Sequence, residues 1–205
     1  LAVGPRARSE PATGPVLTSA SVGRAMEVAL VTVGDELLAG DTVNTNAAWL
    51  GRELASRGVA VERATTVPDR IDDIAEAISE YRQRYDAVIV TGGLGPTHDD
   101  LTMAAVARAF DRDLVESEEA LDWLAENGGY SHEDLAEGTA HIPEGARPLH
   151  NDVGVAPGCV LGTVYVLPGV PDEMEVMFER IAEEFAGEAS HVEFVDADEP
   201  ESGLL

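Results

Sequence analysis

Lysine is missing from this chain: all thirteen basic residues are arginine, against 39 Asp and Glu, and the formal charge at pH 7 is −26. Without lysine there is no P-loop, no Schiff base and no lysine-dependent nucleophile. Cysteine occurs once, at Cys159, which rules out a disulfide framework or a cysteine zinc site and leaves a small buried hydrophobe. The five histidines (98, 132, 141, 150 and 191) include no close pair at metal-ligand spacing, so zinc is not expected. No apolar run reaches the roughly 18 residues of a membrane span. The charge opposes nucleic-acid binding, which needs cationic neutralisation of phosphates. It suits a salt-adapted cytoplasm, where repulsion is screened within about 3 Å at 1 M salt.

Residues 1–25 differ from the rest. They carry three Arg and one Glu, hence +2 against −28 for the remainder, and they lack any hydrophobic period. They read as a disordered extension or a start assigned too far upstream, with the first Met at position 26. From residue 26 to 187, strand patterns alternate with helix patterns. Strands are expected at 27–33, 59–67 and 86–91, and a hairpin ending in a buried strand at 160–169. Helices are expected at 44–58, from Asp69 as cap onward through Tyr85, and at 101–110, 118–127 and 171–187. The acidic segment 188–205 reads as a tail or the truncated start of a second small domain. Such alternation implies an α/β fold, a three-layer α/β/α sandwich with a mostly parallel sheet, whose ligands sit outside the carboxyl ends of the strands.

The turns at those ends hold the candidate chemistry. The stretch VTGGLGPTHDDLT (90–102) puts three glycines and a proline after a buried strand and follows them with Asp99 and Asp100. Glycine lets backbone N–H groups converge on an anion, and a helix N-terminus adds partial positive charge. The turns after the first two strands add Asp35, Glu36, Asp41 and Asp69. Carboxylates beside a phosphate cradle suit Mg²⁺, which takes one or two of them and completes its shell from phosphate and water. Simpler readings stand beside these: Asp69, Asn44 and Asn46 as helix caps, Asp99 and Asp100 as favourable charges at a helix start.

Taken in order, VTVGDELLAGDTVNTN, VPD, VTGGLGPTHDDLT, NDVGVAPG and LPGVPDEM resemble the N-terminal domain of the competence/damage-inducible protein A (CinA) family, within the wider MoaB/Mog molybdopterin-binding fold. The resemblance implies a homo-oligomer, and with the charge and hydropathy above the expectation is a cytoplasmic protein without nucleic-acid or membrane partners. On the Mog side it implies molybdopterin binding and adenylylation, with functional aspartates matching Asp69 and Asp100. On the CinA side it implies Mg²⁺-dependent hydrolysis of the pyrophosphate of ADP-ribose-like dinucleotides. GDELLAG and GGLGPT are of the CinA type, which favours the second. A non-catalytic nucleotide- or pterin-binding module is a third possibility. The nicotinamide-nucleotide deamidase domain of longer CinA proteins has no counterpart in these residues, so that activity is not carried over. The expected roles are Asp69 and Asp100 catalytic, Asp35 and Asp100 on the metal, and Gly92, Gly93, Gly95, Thr97, Asn46, Pro168 and Gly169 around the ligand, the Gly169 turn closing over it.

Overall fold

The computed structural model describes residues 24–95, 100–128, 135–136 and 138–186. The readings of residues 1–23 and 187–205, and of Pro96, Thr97, His98 and Asp99, lie outside them.

Among the described residues, eight strands and six α-helices follow in the order β1 (Glu27–Val33), α1 (Asp35–Ala39), α2 (Thr45–Ser56), β2 (Ala60–Val67), α3 (Ile71–Tyr81), β3 (Ala87–Thr91), α4 (Thr102–Ala109), β4 (Leu114–Glu116), α5 (Glu118–Trp123), β5 (His141–Pro143), β6 (Arg147–Leu149), β7 (Gly158–Leu161), β8 (Val164–Leu167) and α6 (Pro171–Glu179). Six strands form one sheet in the order β2-β1-β3-β8-β7-β6, while β4 and β5 make a separate antiparallel ribbon. The first four are mutually parallel, and β7 and β6 continue antiparallel. The mostly parallel α/β architecture is therefore as the sequence implies.

Central strands are apolar on both sides because helices cover both faces. Val28 and Leu30 of β1 point into a core with Leu50 and Leu54 of α2 and Met174, Met177 and Phe178 of α6. Ala29 and Val31 point the other way, toward Ile74 and Ile78 of α3 and Ala105 and Val106 of α4. Period-two burial in β1 thus meets two helical stripes, and all of these side chains are at most 2% exposed. Burying a Leu or Ile fully contributes about 1.5–3 kcal/mol. Cys159 belongs to the second core, and its burial pushes the thiol up to about 12.

Several boundaries differ from expectation. Asp69 does not cap α3, whose N-cap is Arg70 in extended conformation with no side-chain cap bond. Asp100 precedes α4 rather than opening it, since that helix starts at Thr102. The segment 171–187 stays α-helical only to Glu179, then finishes in a 3₁₀ turn at Ala182–Glu184. Segment 118–127 turns from α to π geometry at Leu124. The hairpin at 158–167 gains β6 as a third strand, and α1, β4, β5 and β6 are too short for periodicity to reveal.

Candidate functional site

The carboxyl ends of β2, β1, β3 and β8 line one rim, and the turns leaving them carry most of the expected residues. After β1, Gly34 N–H donates to the Val67 carbonyl (3.1 Å) and Asp35 N–H donates to Asp69 Oδ2 (2.8 Å). Asp35 and Asp69 therefore meet directly, across the ends of two parallel strands. Asn44 accepts from Ala47 N–H as the cap of α2 and donates to Thr32 Oγ1 (2.9 Å), tying that helix to the end of β1.

The glycine turn after β3 is held from three sides. Gly92 N–H donates to the Leu167 carbonyl, while Thr102 Oγ1 donates to the Gly92 carbonyl (2.8 Å). Gly92 and Gly93 have φ of 101° and 63°. A Cβ on Gly92 would stand 2.4 Å from the Val33 carbonyl oxygen, and one on Gly93 would stand 2.5 Å from Thr102 Oγ1. Both positions thus require glycine by conformation and by space. At Gly95 the nearest group is the Asp100 carboxylate, 2.5 Å from an added Cβ. Asp100 accordingly lies against the turn backbone.

Two clefts flank this turn. The larger, about 320 Å³, runs between Gly93–Gly95, Asp100 and α4 on one side, and the β4–β5 ribbon with Ala156 and Pro157 on the other. The smaller, about 100 Å³, lies between Gly92, Gly169 and the start of α2. Asn46 projects there from α2: its Nδ2 donates to the Gly169 carbonyl (2.8 Å), and its Oδ1 is buried without a hydrogen-bond partner. Asn46 is only 9% exposed, so an oxygen left without a donor calls for a function. Gly169 also packs against Gly92, 3.2 Å separating an added Cβ from the Gly92 Cα.

The expected residues therefore fall into three groups. Asp35 and Asp69 form a pair on the rim. Gly93, Gly95 and Asp100 line the larger cleft, and Gly92, Asn46 and Gly169 line the smaller. Pro168 is buried and lines neither. Thr97 lies outside the described residues. Among the described residues no three His, Cys, Asp or Glu side chains converge as a metal cage.

Sequence reasoning passed over a supporting layer. Asn151, 3% exposed, donates to the Ala156 carbonyl and to Glu173 Oε2 (2.8 Å), and its Oδ1 accepts from the N–H groups of Val153 and Gly154. It pins the NDVGVAPG loop, which walls the larger cleft, to the first turn of α6. Beside it His150 stacks on Trp123 (4.9 Å between ring centroids), with burial lowering its pKa and Glu119 opposing that shift. The quoted NDVGVAPG and LPGVPDEM motifs were the available signal for Asn151 and Glu173.

Residues 29–187 match the family model described as "Probable molybdopterin binding domain". The solved structure described as the protein CinA with unknown function from Thermoplasma acidophilum is 39% identical, with a TM-score of 0.72, over 78% of this chain and 98% of that one. This chain is a CinA-like member of the molybdopterin-binding domain family. A protein of Archaeoglobus fulgidus is 43% identical over 83% of this chain and 73% of its own length. A CinA-like protein of Frankia casuarinae is 48% identical over 75% of this chain but only 38% of its own length. The CinA-like chain also spans only 59% of a relative in Aeropyrum pernix. MoaB from Thermus thermophilus, at 20% identity and a TM-score of 0.53, shares the fold. No described helix is long and apolar enough to cross a membrane.

Proposed function

We propose that this chain binds a phosphorylated adenine nucleotide at the rim and hydrolyses the pyrophosphate of ADP-ribose-like dinucleotides with the help of Mg²⁺. The observation that carries the reading is the Gly92–Gly95 turn. It offers bare backbone between two clefts, with Asp100 against it and the Asp35–Asp69 pair beginning two residues beyond Val33, which packs on Gly92. A two-ended ligand can lay its phosphates on the turn and extend into the clefts on either side.

The donor set fits Mg²⁺: carboxylates that form no three-residue cage among the described residues suit an ion that shares its shell with phosphate and water. Asp100 and Asp35 would hold it, and it would neutralise charge developing on the phosphate oxygens. The N–H groups of Gly93 and Gly95 bind and orient the phosphates, while the Gly92 N–H, expected to join them, donates to the Leu167 carbonyl instead. Asp69 has one oxygen committed to the Asp35 N–H and the other available to orient a water and take its proton. The new water-oxygen–phosphorus bond replaces the bridging P–O bond, giving AMP and ribose 5-phosphate. The reading also includes a homo-oligomer in a salt-adapted cytoplasm.

Molybdopterin binding or adenylylation is the second reading, favoured by the family description. Incubation with ADP-ribose and Mg²⁺ in concentrated KCl, with AMP measured by chromatography, tests the first. AMP from the parent and none from Asp100→Asn is the expected result. No AMP from folded parent protein overturns hydrolysis, and bound pterin, seen by fluorescence after oxidation, would then favour the second.

A further inference from the structure

Among the described residues lining the larger cleft, His141 alone carries a side-chain nitrogen. It stands at the start of β5, opposite Glu116 in the ribbon, and its own N–H donates to the Gly138 carbonyl (3.0 Å). Its Nδ1 is buried and unpartnered, while Nε2 is not among the buried orphaned atoms. Orphaned buried N–H groups are rarer than under-satisfied acceptors. With Nδ1 buried and unpartnered, Nε2 is the ring nitrogen left to meet a ligand, and a proton on it makes it a donor.

The other side chains there make this donor conspicuous. Leu94, Met103, Ala104, Leu114 and Pro157 are apolar and shape a cleft about 320 Å³ in volume. Thr139 spends its hydroxyl proton on the Ala136 carbonyl (2.7 Å), and Asp100 supplies a carboxylate. A cleft of mixed lining that combines apolar side chains with few directed polar ones can hold a ring, and thioether sulfur packs well on aromatic edges. We propose that His141 is a specificity-determining residue that reads the heteroaromatic ring of the ligand, its Nε2–H donating to a ring acceptor while the phosphates lie on the glycine turn. This rests on the nucleotide-binding reading above, and it assigns the ring end of the ligand to the α4 side of the turn.

The test compares a ligand with the ring and one without. Binding of AMP and of ribose 5-phosphate is measured calorimetrically in concentrated KCl with Mg²⁺, for the parent and for His141→Phe, which keeps a flat ring and removes the donor. The expected result is a loss of about five- to tenfold in AMP affinity, with ribose 5-phosphate unchanged. Unchanged AMP affinity overturns the proposal. So does an equal loss for both ligands, which would make His141 a part of the wall and nothing more. Failure of the parent to bind AMP or ADP-ribose at all is the distinct failure of the nucleotide reading, and the role of His141 falls with it. Should His141→Phe not fold, imidazole ¹⁵N spectra of the parent decide: AMP, but not ribose 5-phosphate, is expected to shift the His141 Nε2–H signal, and no shift overturns the proposal.

Discussion

The Asp35 backbone N–H donates to the Asp69 carboxylate over 2.8 Å, which joins the turns after β1 and β2 through a side chain free to do more. A carboxamide oxygen can accept the same bond. Asp69→Asn is therefore expected to keep the melting temperature within about 2 °C, yet to lower turnover of ADP-ribose by at least about a hundredfold, in line with loss of a general base. Asp69→Ala should cost in addition about 1 kcal/mol of stability. Urea melts set beside initial rates separate the two, and a destabilised Asn variant with normal turnover would return Asp69 to a structural role.

Gly93→Val tests the glycine turn. Its φ of 63° costs a side-chain-bearing residue about 1–2 kcal/mol, and Val also meets Thr102 Oγ1. Thr102 is fully buried and clamps the Gly92 carbonyl, so it has little room to retreat. Nucleotide affinity and stability should fall together, whereas Gly51→Ala, a helical position with nothing within 4 Å of an added Cβ, should leave both intact or slightly raise stability.

Asn151→Ala removes two donated and two accepted bonds at a buried position. A loss of about 3 kcal/mol or more is expected in chemical denaturation. Asn151→Asp should be no milder, because an aspartate cannot donate to the Ala156 carbonyl and would set a second carboxylate against Glu173. Persistence of full stability in either variant would show that this loop is held by packing alone.

His150 gives a pH dependence of definite sign. Burial against Trp123 lowers its folded-state pKa below the ordinary 6.5, despite Glu119 nearby. The unfolded chain then binds the proton more readily, so this group's contribution is present above pH 6.5 and is lost as pH falls through 6.5 toward the lower folded-state value. His150→Phe, which keeps a ring on Trp123, should flatten that part of the stability profile. An unaltered slope between pH 7 and 5 would assign it to other groups.

Much of this was readable before any coordinates. Long elements with clean periods, such as Ile74 and Ile78 in α3 or the apolar run of β1, are where local pattern and tertiary burial agree. The three-residue strands β4 to β6 carry too little pattern to be read, whereas the β7–β8 hairpin was expected. The glycine turn and its acidic neighbours stood out because few other pressures gather three glycines at a strand end. Asp69 misled as a cap because Ser, Thr, Asn and Asp before a helix have that role by default. Its actual partner, Asp35, lies 34 residues away, just past the end of a strand that becomes a neighbour only through the sheet. Asn151 and Glu173 were invisible as a pair for the same reason.

The hydrogen bond from Asn46 to Gly169 spans 123 residues, and Gly92 leans on Leu167 from across the sheet. The order of synthesis gives this a consequence. A nascent chain can pair β1, β2 and β3 early, but the glycine turn lacks the Gly169 wall of its smaller cleft until β8 has been made and has threaded in beside β3. Closing so long a loop is slow. Full ligand-binding competence should thus emerge last on the folding pathway, and a chain arrested before residue 164 would have the first three strands and the residues of the larger cleft but would lack Gly169 and with it the smaller cleft.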